Sequence, residues 1–456
     1  MKVIGAIDIA DNTQVAGWLA GEEFGESRFV RIFVDNAEIG TAIARNFRQD
    51  LKDKKISDGN SGFRFIFPRP LDPLVGHDIR VEDRDTGIGV RQTNVRLPSV
   101  ISANTDGKES FFGFDKNFVN IRLRDGFVKD GVWTIWPRVI GPADFKFDIV
   151  CTGAEINEFK VSSERSPYWS ALGLQEWTVK IVLTPEANVR YVVLKLTDDS
   201  ELANRCKAVC SVAVPAKIPS YITSMTVENV TRVSGPTSTI EQFAVSGFNT
   251  AYRLNEILKA HFRKEFRDFK NCLDWGIGAG RVALPIKHYF APDLRLVGTD
   301  IDDFNIEFGQ KSYPELEFVR SRLLPPLPFA DQLFDTVYGI SVFTHLTEGV
   351  QFAWLEELRR VVKTGSPVIM TVHSEMALFD VSRSRGDVLL EVSKFGFSDS
   401  LIDTNLGSKL EAQTYYRSTF HGRKYILEKW SKYFDILACY TSANVGVQDY
   451  IVMRAK

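Results

Sequence analysis

The spacing of apolar residues changes character along the chain and divides it into three textures. From residue 1 to about 97, short segments either alternate apolar and polar positions or form brief apolar runs: GAIDIA, QVAGWLA, FVRIFVD, AEIGTAIA, GFRFIF and DIRVED. A period of two marks half-buried strands, and Asp35-Asn36 between two of them suits a two-residue hairpin turn. Strands this closely spaced, without helical periods between them, predict a β-sandwich module over residues 1–97. Arg96 to Ser110 is polar and weakly patterned, and reads as a linker. Residues 111–214 predict a second β-sandwich-like module from FVNIRLR, GVWTIWPRVI, FKFDIVC, EFKVS, WTVKIVL, RYVVLKLT and AVCSVAVP. Its Trp133, Trp136, Trp169 and Trp177 could form a ligand platform, although such residues more often fill a sandwich core.

After VPAKIPS the pattern becomes an alternation of helices and strands. Leu254, Leu258, Phe262, Phe266 and Phe269 recur at three or four positions and predict a helix from Tyr252 to Phe269. Strands are expected at Asn271–Leu273, Leu294–Thr299, Leu316–Arg320, Phe334–Val342, Pro367–His373, Asp435–Thr441 and Gln448–Arg454, with a helix at Val350–Val362. This rhythm implies a doubly wound α/β domain over residues 221–456, with a largely parallel sheet covered on both faces. Ligands of such sheets bind outside the carboxyl ends of the strands, where the strand order reverses. The turn after each strand is therefore the place to look for chemistry.

Composition narrows the function classes. Of 456 residues, 44% are hydrophobic and 25% charged, the balance of an ordinary globular protein. Lys and Arg number 56 against 58 Asp and Glu, a net charge of −2 that lacks the basic excess of a nucleic-acid binder. The start, MKVIGAIDIADNTQ, has no signal-peptide pattern, and no apolar run reaches the roughly 20 residues of a spanning helix, so a cytoplasmic protein is expected. The five cysteines are scattered, and Cys206 and Cys210 have no second pair to complete a zinc set. No metal site is expected.

The strongest chemical signal is LDWGIGAGR. Asp274 closes a strand, Gly276, Gly278 and Gly280 follow at alternate positions, and Arg281 ends the motif. Glycines let the backbone turn sharply and come close to a ligand. A dinucleotide fingerprint would read G-x-G-x-x-G and pack a pyrophosphate on a helix N-terminus. The G-x-G-x-G spacing with an acid in front better suits a zwitterionic amino-acid group, whose ammonium Asp274 would reach directly or through water. In LRLVGTDID, Asp300 ends the next strand about 20 residues on, where an acid can bind both ribose hydroxyls. Asp302 and Asn305 lie at the entry to a helix, and Asp302 suits either a ligand contact or a helix cap. Asp274 and Asp300 are expected to open onto one cavity.

LDWGIGAGR, GTDID, LPFADQLFDTVYGISVFTHL and LEELRRVVKTGSPVIMTV resemble, in order and spacing, the motifs of class I S-adenosylmethionine-dependent methyltransferases. The resemblance covers roughly residues 221–456 and implies a Rossmann-like domain that binds S-adenosylmethionine. It implies that Asp274, Gly276, Gly278 and Gly280, with Arg281, hold the methionine part, that Asp300 with Ile301 and Asp302 holds the ribose side, and that the stretch before L-P-F lies against adenine. Relatives often carry Asp or Asn in that stretch; this chain has SRLLPPLPF, so Ser321 or backbone near Arg322 would serve instead. Ser341, Val342 and Phe343 would face the sulfonium. His345, His373 and His421 are the candidate bases, since a hydroxyl acceptor needs its proton removed.

GAIDIADNTQVAGWLAGEE, VRIFVDNAEIGTAIARNFRQDL and SGFRFIFP resemble β-modules appended to bacterial polysaccharide-building glycosyltransferases. That resemblance implies a glycan or glycan precursor as acceptor, and other polysaccharide-assembly enzymes as partners. The expected function is O-methylation of a sugar of a surface polysaccharide. The alternatives are a non-catalytic scaffold that keeps the cofactor fold, or a methyltransferase acting on a protein or small metabolite.

Overall fold

The computed structural model describes residues 3–21, 27–68, 71, 76–97, 119–123, 126–164, 169–170, 174–198, 203, 206–235, 238–373, 375–382, 384–403, 416–444 and 448–456. The linker expected at 96–110 lies almost wholly outside them. The chain divides into two compact units, Met1–Gly113 with Met376–Ser398, and Phe114–Glu375 with Asp399–Lys456.

The first unit holds two four-stranded antiparallel sheets. One runs Ile4–Ala10, Gln14–Ala20, Asn60–Ile66, Asn46–Phe47, and the other Ala37–Ala44, Arg28–Val34, His77–Asp83, Gly89–Leu97. The period-two alternation sets every second residue inward, so Val15, Leu19, Val30, Ile32, Phe63, Ile79 and Val81 form one core. Asp35 and Asn36, at φ 51° and 68°, make the hairpin turn that joins Val34 to its partner Ala37. Helix Gly386–Phe395, which the sequence pattern did not suggest, adds Leu390 to this core.

In the second unit, the strands expected in residues 111–214 form two antiparallel sheets. GVWTIWPRVI divides into Val132–Ile135 and Arg138–Pro142 because Pro137, between the two, has no N–H for a ladder. Trp133 and Trp169 are fully buried, and Trp177 packs on Phe145 and Phe147, so three of the four tryptophans fill space.

The rest of the unit is the α/β domain. Its longer helices are α1 (Val227–Ser234), α2 (Ile240–Phe262), α3 (Asp303–Ser312) and α4 (Glu348–Val361). Its strands are β1 (Asn271–Trp275), β2 (Arg295–Asp300), β3 (Glu317–Arg320), β4 (Thr336–Gly339), β5 (Pro367–His373), β6 (Phe397–Ile402), β7 (Arg417–His421), β8 (Phe434–Tyr440) and β9 (Gln448–Ala455). Strands β3, β2, β1, β4 and β5 are parallel neighbours in that order. β9 runs antiparallel along the whole of β5 and carries β8 on its far side. The chain thus steps outward from β1 through β2 to β3, returns to β4, and steps the other way, which opens a crevice beyond the ends of β1 and β4.

Helix α2 starts twelve residues before the expected Tyr252, at a capping box in which Thr239 and Gln242 satisfy each other's backbone N–H groups. It stops at Arg263, whose φ of 54° breaks the ladder, so Phe266 and Phe269 lie beyond the helix. No helix among the described residues is long and apolar enough to cross a membrane.

Candidate active site

A cleft opens at the crevice between β1 and β4. Its walls come from the ends of four strands: Trp275, Gly276 and Gly278 after β1, Thr299 to Asp302 at β2, Ser321 to Leu323 after β3, and Ile340 to Val342 after β4. Val233 from α1, Asn305 from α3, His345, Leu346, Trp354 from α4 and Tyr416 complete the lining. Of the residues the sequence singled out, the cleft brings together Gly276, Gly278, Asp300, Ile301, Asp302, Ser321, Arg322, Ser341, Val342 and His345, whereas Phe343 is buried against Trp275 and Trp430.

Gly276 and Gly278 hold φ values of 87° and 54°, a region that costs an L-residue about 1–2 kcal/mol. A Cβ on Gly278 would also stand 2.8 Å from Val233, and one on Gly276 would collide with Val342. The turn is therefore bare backbone facing the cleft. Asp300 holds it in place: its carboxylate accepts from the N–H of Gly278 at 2.7 Å and of Asp302 at 2.9 Å. Burial raises the Asp300 pKa above the ordinary carboxylate value, and these backbone N–H groups pull it back.

Asp302 caps α3 by accepting from the Phe304 N–H, and forms a two-bond ion pair with Arg232 of α1 at 2.8 Å. It also accepts from Asn305 Nδ2. Its geometry is that of a cap and a tether for α1. Two buried oxygens on the cleft wall lack a hydrogen-bond partner, Thr299 Oγ1 and Asn305 Oδ1. A buried unpaired acceptor costs about 1–3 kcal/mol, so these atoms suit a bound polar group.

Ser341 sits at φ 62°, where β4 leaves the ladder. Its N–H donates to Thr371 Oγ1 at 2.7 Å and its hydroxyl bonds the Gln448 side chain. A non-glycine residue held in this conformation on a cleft wall is stored strain, fixed by partners on β5 and β9.

Three expectations are corrected. Asp274 does not line the cleft. It is 2% exposed and accepts from the Tyr338 hydroxyl at 2.8 Å, its partner across the β1–β4 pair. Burial, helped by the nearby Asp300 charge, pushes its pKa up to about 7 against the lowering bond from Tyr338. Asp274 and Asp300 thus do not open onto one cavity. Gly280 and Arg281 also face inward: Gly280 packs on Leu284 and Phe318, and the Arg281 backbone lies so close to Gly247 of α2 that a Cβ there would strike its carbonyl. Finally, His373 and His421 lie behind the wall, and only His345 of the three candidate bases reaches the cleft.

The His345 and His373 rings meet edge to face with centroids 6.3 Å apart, and neighbours fix the tautomer of each histidine. His345 Nδ1 lies 3.1 Å from the Arg417 carbonyl and His373 Nδ1 2.9 Å from that of Thr419, so each Nδ1 carries the proton and each Nε2 the lone pair. Gln351 spends its amide N–H groups on the carbonyls of Phe343 and Leu346, leaving its oxygen to accept from His421 Nε2 at 2.8 Å. Burial lowers all three pKa values, that of His373 to about 4 and that of His421 to about 3, with His345 depressing His373 further and His373 depressing His421. Asp403, 3.7 Å from His345 Nδ1, opposes the shift at that residue.

Val233, Asn305, Trp354 and Tyr416 were not assigned to the site by the sequence. Trp354 lies in the helix expected at Val350–Val362, where no motif marked it, and Tyr416 directly precedes β7.

Residues 272–365, which run from β1 through the glycine turn and α4, match the family described as the methyltransferase domain, so the chain carries a methyltransferase domain. Among solved structures, the PH0226 protein of Pyrococcus horikoshii is 20% identical, with a TM-score of 0.32, over 44% of this chain and 88% of that one. A SAM-dependent methyltransferase of Methanosarcina mazei is 17% identical, TM-score 0.32, over 41% and 92%. A TehB-like SAM-dependent methyltransferase of Corynebacterium glutamicum is 14% identical, TM-score 0.27, over 46% and 98%.

Proposed function

We propose that residues 221–456 are a Rossmann-like, S-adenosylmethionine-dependent methyltransferase domain that O-methylates a sugar of a bacterial surface polysaccharide or its precursor. The observation that carries the cofactor reading is the cleft itself. A turn with no room for a Cβ, a strand-end carboxylate and two orphaned buried oxygens meet where a zwitterionic nucleoside needs them. Gly276 and Gly278 would admit the methionine part against bare backbone. Asp300 would take the ribose hydroxyls with the lone pairs left beside its two backbone bonds. Ile301, Ser321, Arg322 and Leu323 would wall the base. When bound, S-adenosylmethionine supplies a methyl group on a sulfonium centre that departs as a neutral thioether.

His345 does the remaining work in this reading. Its Nδ1–H is held by the Arg417 carbonyl, so Nε2 takes the proton of the acceptor hydroxyl. Asp403 then stabilises the imidazolium. Burial keeps the ring neutral beforehand, the form a base must have. Positioning supplies much of the rest, because methyl transfer is an in-line displacement.

The sugar acceptor is supported by the resemblance of the N-terminal module to those of glycan-building enzymes, and it would have the protein work in the cytoplasm beside other assembly enzymes. One observation favours a second acceptor, a small aromatic metabolite: Leu346, Trp354 and Tyr416 give the cleft an apolar and aromatic wall, with the Tyr416 ring beside that of His345. The test is transfer of labelled methyl from S-adenosylmethionine by the full chain. Label in a surface-polysaccharide extract supports the sugar reading, and label only in a panel of phenols replaces it. Absence of both label and S-adenosylhomocysteine binding would end the methyltransferase reading.

A further inference from the structure

One sheet of the second β-module ends on an open edge. Strand Ala154–Glu164 pairs along its length with Leu174–Pro185, and among the described residues no strand lies on its other side. Residues 157–163 are exposed throughout, on both faces. Side chains opposite each other in an antiparallel pair share a face. Phe159 lies opposite Ile181 and Val161 opposite Val179, both fully buried in the module's core. Phe159 and Val161 are therefore on the core-facing side, yet they are 41% and 42% exposed. A long edge with unpaired backbone groups and an apolar face is a template for another strand.

We infer that this edge pairs with the same strand of a second copy of the chain, continuing the sheet across a two-fold axis. The strand's own charges choose both occupant and register. Keeping Phe159 and Val161 on one face requires the axis to pass through a residue rather than between two. An axis at Glu158 or Lys160 sets that charge against itself, and an axis at Val161 sets Glu158 against Glu164. Asn157 is bulged out of the ladder. An axis at Ser162 sets Lys160 against Glu164 but puts Val161 opposite Ser163 and leaves Phe159 with no strand residue across from it, since the strand ends at Glu164. An axis at Phe159 sets Glu158 against the second copy's Lys160, and Lys160 against its Glu158, with the two Phe159 rings meeting at the centre. Glu158 already lies on the face with the lysines, since it pairs with Lys180 of its own chain at 2.8 Å.

The test is the mass of the full chain in solution by light scattering, and it does not depend on the methyltransferase reading. The wild type is expected to be a dimer at micromolar concentration. E158K and K160E each turn two attractions into two repulsions and should raise the dimer dissociation constant about tenfold or more. The double variant E158K/K160E exchanges the charges and should dimerise like the wild type, an outcome that a merely damaged fold would not give. F159C should cross-link across the axis on mild oxidation, with the wild type and its own five cysteines as control. A monomeric wild type, a double variant as weak as the singles, or a dimer in which F159C does not cross-link would each overturn the inference.

Discussion

Asp300→Ala is the substitution on which the cleft stands or falls. The carboxylate has about four lone-pair positions, and two of them accept the Gly278 and Asp302 N–H groups at 2.7 and 2.9 Å. The other two are available to a ribose. Hydrogen bonds to a charged group are worth about 1.5–3 kcal/mol each, so losing two ligand bonds removes roughly 3–6 kcal/mol of binding. At about 1.4 kcal/mol per factor of ten, this weakens S-adenosylhomocysteine binding by about 100-fold or more. Losing the two backbone bonds has a separate consequence, because the glycine turn keeps only the bonds of the Gly276 and Ile277 N–H groups to the Thr299 carbonyl of β2, and thermal stability should also fall. Titration calorimetry well below the unfolding midpoint separates the two effects. Asp300→Asn keeps the size and an acceptor oxygen but not the charge, and should fall between wild type and alanine. If Asp300→Ala binds S-adenosylhomocysteine as tightly as the wild type, the cofactor does not sit at the end of β2 and the site has been misread.

Three other variants test the remaining parts of the site. Gly278→Ala meets a positive φ and a Val233 contact at 2.8 Å together, so it should abolish cofactor binding while leaving the N-terminal unit folded, which calorimetry and limited proteolysis would report. His345→Gln should lower kcat for a hydroxyl acceptor by about 10²–10⁴ and leave the affinity for S-adenosylhomocysteine within a few-fold; unchanged kcat would exclude the base role. Because burial lowers the His345 pKa, the wild-type rate should be flat across neutral pH and fall only on the acid side. His421 titrates at about 3 in the folded chain against about 6.5 unfolded, so the unfolded state binds the extra proton between those values. Its stabilising effect is complete above pH 6.5 and is lost as pH falls towards 3, whereas the raised pKa of Asp274, about 7, works in the opposite direction over pH 3.8–7. The comparison that isolates His421 is therefore wild type against His421→Gln, whose melting temperature should fall less between pH 7 and 5; an equal fall in both would refute the assignment.

What the sequence made legible follows from which forces are local. Turn chemistry is local, so Asp35-Asn36 and the glycines after β1 could be read directly, as could β5, where the expected and observed bounds coincide at Pro367–His373. Helix α2 was misplaced because Phe266 and Phe269 continue its apolar stripe past the break at Arg263, while the T-x-x-Q pair at Thr239 and Gln242 marked the true start. Helix Gly386–Phe395 was missed because its partner is remote: Gly386 is small because a Cβ there would stand 2.6 Å from the Asn12 backbone nitrogen, a contact no window around residue 386 contains.

Asp274 is the most instructive case, since its motif was read correctly and its side chain was not. The strand-end acid before the glycines was expected to reach a ligand, and the chain instead gives it Tyr338, the residue directly across the β1–β4 pair. An ionised carboxylate this deeply buried needs more than one hydroxyl to hold its charge, and the rise of its pKa to about 7 is the result. The sequence names the residue at a strand end, but the neighbouring strand decides which way it can afford to turn, and that strand lies more than sixty residues away. Among the candidate histidines the same logic applies. His345, His373 and His421 are equivalent as letters, and only the order in which β5, β7 and the turn after β4 pack decides that one faces the cleft while two stand behind it.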